Sequence, residues 1–185
     1  MKNSRTPTVI TIELLAKIKN QYRLKWHGKH GVIHWSRVYD NGIKLAEQNG
    51  VNTEVVQFFS VFHDSRRCNE GTDNNHGNRG AQLALKMRAD IPLNNDDFSL
   101  LITACSLHTS ARTHDDITVQ ACFDSDRLDL GRVGTMPDPD YLCTPLAKMS
   151  DIIEWGYNRS LIHKLPDQPF GLSEYNGRVT MVGGT

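Results

Sequence analysis

Apolar residues recur along this chain at the three- and four-residue spacing that is typical of α-helices. Turn-forming and capping residues separate the segments with this spacing, and residues 1–160 contain no convincing pair of alternating strands. The pattern therefore predicts an all-α fold. The predicted helices are 11–20 (TIELLAKIKN), a helix that follows the Gly- and His-rich segment 26–34 and runs to about Gln48, 55–64 (VVQFFSVFHD), 76–91, 97–108 (DFSLLITACSLH), 118–130 (TVQACFDSDRLDL), and a last helix from Thr144.

Three of the predicted helices begin at residues that commonly cap helices. Asn52 or Thr53 caps the third helix, and Asn95 or Asp96 begins the fifth. The pair Thr144-Pro145 places a capping residue directly before a proline at the first helical position, which indicates the start of the last helix.

Length and composition predict one domain with a sizeable core. The chain has 185 residues, and 38% of them are hydrophobic. We expect a single helical domain over residues 1–165. The remaining residues, 166–185, form a tail rich in Gly and Pro, which we expect to be ordered by packing on that domain.

The charge balance and the cysteines narrow the class of protein. The 21 basic and 21 acidic residues cancel, so no long-range field would attract a nucleic-acid polymer or an acidic membrane. The apolar start at 9–18 is interrupted by Glu13 and Lys17, which argues against a signal peptide or a membrane span. The four cysteines lack Cys-x-x-Cys spacing, and we expect reduced thiols in a cytoplasmic protein: Cys68, Cys105, Cys122 and Cys143.

The adjacent pair His63 and Asp64 ends the most apolar predicted helix. Burying these side chains costs several kcal/mol, on the order expected for polar groups, unless they are paired or bind a metal. A structural hydrogen bond and a metal site both explain the pair taken alone. Further histidines and aspartates lie near other helix ends, where side chains can gather around a cleft: His34, His76, His108, Asp124 and Asp126.

Imidazole and carboxylate together suit Mn, Fe, Ni, Co or Zn better than Ca or Mg. Four histidines and two aspartates exceed the four ligands of one tetrahedral site. A two-metal site with a bridging carboxylate fits this number of ligands, so the sequence predicts one or two divalent ions.

The ordered set His34, His63-Asp64, His76, His108 and an aspartate in DSDRLDL resembles the HD-domain metal-dependent phosphohydrolase superfamily over about residues 25–150. The patterns of that family are H…HD…D for one metal and H…HD…H…H…D for two. The resemblance implies a helical bundle with its metal site in a cleft formed by helix ends. The D-R-L string favours Asp126 as the last metal ligand and gives Asp124 a supporting position behind the ligands. Helical phase alone does not decide which of the two aspartates is the ligand.

The resemblance also implies roles for these residues. His34, His63, Asp64 and Asp126 would hold a first metal, and Asp64 would bridge to a second metal held by His76 and His108. Asp64, His76 and His108 would take part in catalysis. The short interval from Asp64 to His76, and the single histidine at 108, make the second metal a weaker expectation than the first.

Four arginines follow the candidate ligands and could bind an anionic substrate: Arg66, Arg67, Arg79 and Arg112. Guanidinium groups match phosphate oxygens with two parallel hydrogen bonds. Each arginine has an equally simple interpretation as a surface residue of a polar loop. His27, His30 and His114 lie in polar segments, where we expect them to be exposed to solvent or to face the substrate.

The sequence and the resemblance together lead to the hypothesis of a metal-dependent phosphohydrolase acting on a small phosphate ester such as a nucleotide. One alternative is an HD-type di-iron oxygenase, since such relatives use a similar ligand set. Another is a metal-stabilised module that binds a nucleotide without catalysis. The substrate, the native metal and the oligomeric state stay open at this point.

Overall fold

A computed structural model describes residues 7–178. Within this span the chain forms seven α-helices and no strand, which confirms the predicted all-α fold. None of the described helices is both long and apolar enough to cross a membrane. The helices are α1 (Ile12–Lys19), α2 (Val32–Leu45), α3 (Thr53–Phe62), α4 (His76–Lys86), α5 (Asn95–Leu107), α6 (Ile117–Arg127) and α7 (Ser150–Ser160).

The predicted caps are partly confirmed. The Asn52 side chain accepts hydrogen bonds from the backbone N–H groups of Glu54 and Val55, so Asn52 caps α3. The prediction that Asn95 or Asp96 begins the fifth helix is confirmed for Asn95, the first residue of α5, while the residue that caps this helix is Asn94, which accepts from the Asp97 N–H at 2.9 Å.

The prediction that the last helix begins at Thr144 is wrong. Thr144 instead begins a single turn, in which its hydroxyl accepts a hydrogen bond from the Ala147 N–H and its carbonyl accepts one from the Lys148 N–H. The backbone then becomes extended at Met149, with φ −68° and ψ 134°, and α7 begins only at Ser150. Pro145 therefore starts a turn of its own, separate from the helix that follows.

Helix α3 lies at the centre of the core. Every residue from Val55 to Phe62 is buried, and α3 contacts α2, α4, α5 and α6. Burying one large apolar side chain contributes roughly 1.5–3 kcal/mol, so this helix contributes much of the driving force for folding. Because α3 is enclosed on all sides, the residues after its last turn, His63 and Asp64, are delivered to the interior.

Two glycines allow α4 to approach the ends of α3 and α5. A Cβ at Gly80 would lie 2.3 Å from the Phe62 carbonyl oxygen, and one at Gly77 would lie 2.3 Å from that of Cys105. Any larger residue at these positions would push the helices apart. The close approach places His76, at the start of α4, beside the C-terminal ends of both helices.

The described part of the predicted tail, 166–178, lies against the domain. Phe170 is fully buried, and its ring lies 5.8 Å from that of Tyr39 in α2 and 6.0 Å from that of Tyr175. Its φ of 57° places a non-glycine residue in the left-handed region, a strain that its burial offsets. Residues 1–6 of the predicted domain and 179–185 of the predicted tail lie outside the described residues.

Candidate metal centre

The structure brings the six candidate ligands together from the ends of five helices. His34 and His76 lie in the first turns of their helices, whereas His63 and His108 are C-terminal caps. The four histidines are buried, as is Asp64. The residues and their elements are His34 of α2, His63 and Asp64 after α3, His76 of α4, His108 after α5 and Asp126 in the last turn of α6.

One group of ligands forms around His34 and His63. Their Nε2 atoms lie 3.0 Å apart, and Asp64 Oδ2 is 3.7 Å from the first and 4.0 Å from the second. Asp126 Oδ1 completes the group, at 3.4 Å from His34 Nε2 and 3.9 Å from His63 Nε2. The arrangement offers two imidazole nitrogens and two carboxylate oxygens to one point.

A second group forms on the other side of Asp64. His76 Nε2 and His108 Nε2 lie 3.0 Å apart, and Asp64 Oδ1 is 2.9 Å from the first and 3.9 Å from the second. Asp64 therefore belongs to both groups and faces each with a different oxygen. This is the geometry of a carboxylate between two cation sites.

Each of the four histidines uses its other ring nitrogen to bind an oxygen atom. Because these oxygens can only accept, Nδ1 carries the proton and a neutral ring keeps the lone pair on Nε2. Such partners fix the ring and its tautomer for metal binding. The acceptors are Asp129 Oδ2 for His34 (2.7 Å), the Phe59 and Ser60 carbonyls for His63 (both 3.1 Å), the Asp73 carbonyl for His76 (2.6 Å) and the Cys105 carbonyl for His108 (2.8 Å).

The donor set fits a metal ion in each group. Two unprotonated Nε2 atoms that face each other at 3.0 Å cannot form a hydrogen bond, and a cation between them removes their repulsion. Two nitrogens bound at right angles, each about 2.1 Å from an ion, lie about 3.0 Å apart. The buried His and Asp groups can therefore hold a metal ion.

The electrostatics of the site favour a neutral His63 and an ionised Asp64. Burial lowers the pKa of His63 to about 3, despite the opposing effect of nearby carboxylates. Burial alone would raise the pKa of Asp64, but His63, His30 and His76 hold it well below its usual range. Both protonation states at neutral pH are those that bind metals.

Asp126, rather than Asp124, faces the histidines. Burial would raise the Asp126 pKa, but His34 and Arg132 outweigh that effect and hold it well below its usual range. Asp124 instead accepts hydrogen bonds from the backbone N–H groups at 143 and 144, at 2.8 and 2.7 Å. Its carboxylate anchors the segment that leads to α7, in place of the supporting position behind the ligands that the sequence suggested.

Of the four predicted arginines, the structure brings Arg67 to the ligands. Its side chain is buried, and NH1 lies 3.5 Å from Asp64 Oδ1 and 3.3 Å from both ring nitrogens of His76. A hydrogen bond from NH2 to the Gly71 carbonyl, at 2.6 Å, fixes the guanidinium there. Arg67 therefore places a positive charge beside the second group.

The contacts of the other three arginines, within the described residues, do not reach a candidate ligand. Arg66 donates to the Gln21 carbonyl at 2.7 Å. Arg79 donates to Asp73 Oδ2 at 2.5 Å, and Arg112 donates to the Asp140 carbonyl and stacks on Tyr141. Proximity in sequence therefore does not translate into contact with the ligands for Arg66, Arg79 and Arg112.

Three further residues contact the ligands, and the sequence predicted none of these contacts. His30 is buried rather than exposed, with Nδ1 3.2 Å from Asp64 Oδ2. Asp129 binds His34, and Arg132 NH2 lies 3.3 Å from Asp126 Oδ1. The spacing offered a weak signal, because His30 precedes His34 by four residues and Asp129 follows Asp126 by three.

The arrangement is a pair of buried sites that share one carboxylate, with a guanidinium beside each. Such a site can bind cations and orient an anionic ligand over them. Comparison with known proteins adds no further assignment, because no family model, curated protein or solved structure matches this chain.

Proposed function

We propose that this protein is a metal-dependent phosphohydrolase of the HD-domain type that acts on a small phosphate ester such as a nucleotide. The observation that carries the proposal is that Asp64 presents Oδ2 to the pair His34 and His63, and Oδ1 to the pair His76 and His108. A carboxylate shared between two N/O sites is the usual core of two-metal hydrolytic centres.

The proposed cofactors are one or two divalent ions from the group Mn, Fe, Ni, Co and Zn. When bound, such ions supply Lewis acidity, which lowers the pKa of a water to about 7 and provides a nucleophile at neutral pH. The two histidine pairs hold the cofactor sites at a fixed spacing through Asp64. The Nδ1 hydrogen bonds of these histidines keep their rings from rotating during the reaction.

Arg67 and Arg132 are the proposed contacts for the phosphate oxygens. Arg67 lies beside the second group, 3.5 Å from Asp64 Oδ1, and Arg132 lies beside the first, 3.3 Å from Asp126 Oδ1. Charge on the transferring group is stabilised best by donors that are already in place before the reaction. The hydrogen bond from Arg67 to Gly71 and that from Arg132 to the Asp129 carbonyl provide this preorganisation.

A small substrate agrees with the formal net charge of zero, which provides no overall positive charge to attract a nucleic-acid polymer. The direct test is metal analysis followed by a phosphate-release screen of nucleotides and sugar phosphates. We expect about one to two ions per chain and manganese-supported release from part of the panel. Asp64→Asn, purified in the same way, reveals phosphate released by contaminating enzymes. A metal-loaded protein that hydrolyses no member would contradict the proposal.

A further inference from the structure

A cavity of about 250 Å³ lies next to the candidate metal centre and is lined by basic side chains. The loop before α2, the N-terminal half of α2, the segment after α6 and the segment after α7 form its walls. Among the described residues that line it there is no carboxylate. The basic residues are His27, Lys29, Arg37, Arg132 and His163.

Arg132 connects this cavity to the metal centre. It lines the cavity, and its NH2 lies 3.3 Å from Asp126 Oδ1, which is 3.4 Å from His34 Nε2. The Asp126 side chain is 17% exposed, compared with 2% for Asp64 and 6% for His76. The centre is therefore most open at the ligand that faces Arg132 and the basic cavity.

The guanidinium of Arg132 also retains a hydrogen-bond donor without a partner. NH1 donates to the Asp129 carbonyl and NH2 to Asp126, but the buried Nε–H has no acceptor among the described residues. Arg37, in contrast, uses Nε and NH2 on Asp129 and NH1 on the Ile162 carbonyl. A buried N–H without an acceptor is rare in folded proteins, and an anionic oxygen would satisfy it.

We propose that this cavity binds a second anionic group of the substrate while the first lies at the metal centre. The substrate is then a phosphate ester that carries a further phosphate or a carboxylate. This inference rests on the proposed phosphohydrolase function and adds the substrate class to it. The Lys29 ammonium supplies a charge at the cavity that, unlike those of Arg37 and Arg132, has no carboxylate partner among the described contacts.

The kinetic test compares matched substrates that differ by one anionic group. Glycerol 3-phosphate is paired with 3-phosphoglycerate, which adds a carboxylate, and adenosine 5′-monophosphate is paired with adenosine 3′,5′-bisphosphate, which adds a phosphate. We expect the second group to lower KM by about tenfold in at least one pair, with a similar kcat. The pair that responds distinguishes a carboxylate from a phosphate.

Lys29→Gln is the test variant, because Lys29 lines the cavity and makes no contact with a candidate ligand within the described residues. This variant should raise the KM of the doubly charged substrate about tenfold. The KM of the matched compound that lacks the second anionic group should stay unchanged. The matched control is Lys164→Gln, which removes the same charge from an exposed position that lines the neighbouring cavity. That control should retain the KM difference.

Calorimetric binding of the same four compounds separates the cavity from the reaction. Hydrolysis without a KM advantage, or with an advantage that Lys29→Gln retains, would overturn the anionic subsite and leave the hydrolase standing. If no member of the nucleotide and sugar-phosphate panel is hydrolysed but a doubly charged compound binds, with an affinity that Lys29→Gln lowers about tenfold, the subsite stands and the phosphohydrolase proposal fails. Absence of both hydrolysis and Lys29-dependent binding would overturn both.

Discussion

Asp129 Oδ2 lies 2.7 Å from His34 Nδ1, although 95 residues separate the two in sequence. The carboxylate fixes the imidazole with Nε2 directed at the first ligand group, and Arg37 Nε holds the same carboxylate at 2.5 Å. Removal of a partner that orients a metal-binding histidine usually costs about 10- to 100-fold in metal affinity. Asp129→Asn should therefore weaken binding of the metal at the first group by this factor.

The measurement for Asp129→Asn is a competition titration with a chelator of known affinity. Asp124→Asn is the matched control, because Asp124 is an equally buried aspartate of the same segment whose bonds go to the backbone at 143 and 144. The control should lower thermal stability and leave metal affinity within about twofold of wild type. Equal metal affinities in Asp129→Asn and wild type would remove the positioning role.

Variants of Asp64 and of His108 should differ in how much metal the protein retains. Asp64 faces both ligand groups, whereas His108 belongs to one. We expect Asp64→Asn to lose metal from both groups and His108→Ala from the second group alone. Elemental analysis after identical purification measures this, with circular dichroism to show that each variant is folded. Equal metal content in the two variants and wild type would contradict the shared carboxylate.

The sequence predicts the helix ends that carry the ligands, because the residues that determine where a helix ends lie close to that end in the sequence. Apolar spacing places His63 and His108 at the ends of buried helices, and these positions depend on neighbours within one or two turns. Asp124 and Asp126 were harder to separate, since two residues along a helix differ by about 200° in direction. Only the packing of α6 against α2 determines which of them faces His34.

The contacts that the sequence did not predict join segments that are distant in the chain. His30 and Asp64 are 34 residues apart, and Arg37 and Asp129 are 92 apart, so no local pattern connects either pair. The arginines show that neighbours in sequence can also differ in their contacts. Arg66 and Arg67 are adjacent, but Arg67 alone of the two contacts the ligands. The Arg66 guanidinium donates instead to the backbone carbonyl of Gln21.

This adjacent pair provides a sharp test of substrate binding. Arg67→Ala should lower kcat/KM by the loss of a charge-assisted hydrogen bond, about 1.5–3 kcal/mol or roughly 10- to 150-fold. Arg66→Ala should change it less than about twofold, because its guanidinium donates to the Gln21 carbonyl and contacts no candidate ligand among the described residues. Metal content should stay at the wild-type value in both variants. A larger loss for Arg66→Ala than for Arg67→Ala would reverse the assignment.

Acid should destabilise the metal-free protein through His63. Burial lowers its pKa to about 3 in the folded state, whereas the pKa of an unperturbed histidine is about 6.5. Between these values the unfolded chain binds a proton that the folded chain does not, so the free energy of unfolding rises with pH and falls on acidification. From pH 6.5 to pH 5 the loss from His63 should be on the order of 1 to 2 kcal/mol.

Two other histidines at the site shift this dependence in opposite directions. Burial lowers the pKa of His108, which adds to the loss at low pH. Burial also acts to lower the pKa of His76, but Asp64 raises it overall, so His76 contributes stability that is lost as pH rises. The pH dependence of the free energy of unfolding must therefore be compared between variants and wild type. Urea unfolding at several pH values should give a flatter pH dependence for His63→Gln than for wild type, while the exposed control His163→Gln should follow wild type.

The role of oxygen separates hydrolysis from an HD-type di-iron oxygenase reaction. In a hydrolase the ions act as Lewis acids, so manganese, cobalt or nickel should support activity about as well as iron, and O₂ should be irrelevant. In an oxygenase iron must change oxidation state, and redox-inert zinc cannot replace it. The arginines do not discriminate, since a phosphonate substrate would also bind Arg67. We expect inorganic phosphate to be released from a nucleotide panel under strict anaerobiosis with manganese. Activity that requires iron and O₂, with measurable oxygen uptake, would instead assign the centre to oxygen chemistry.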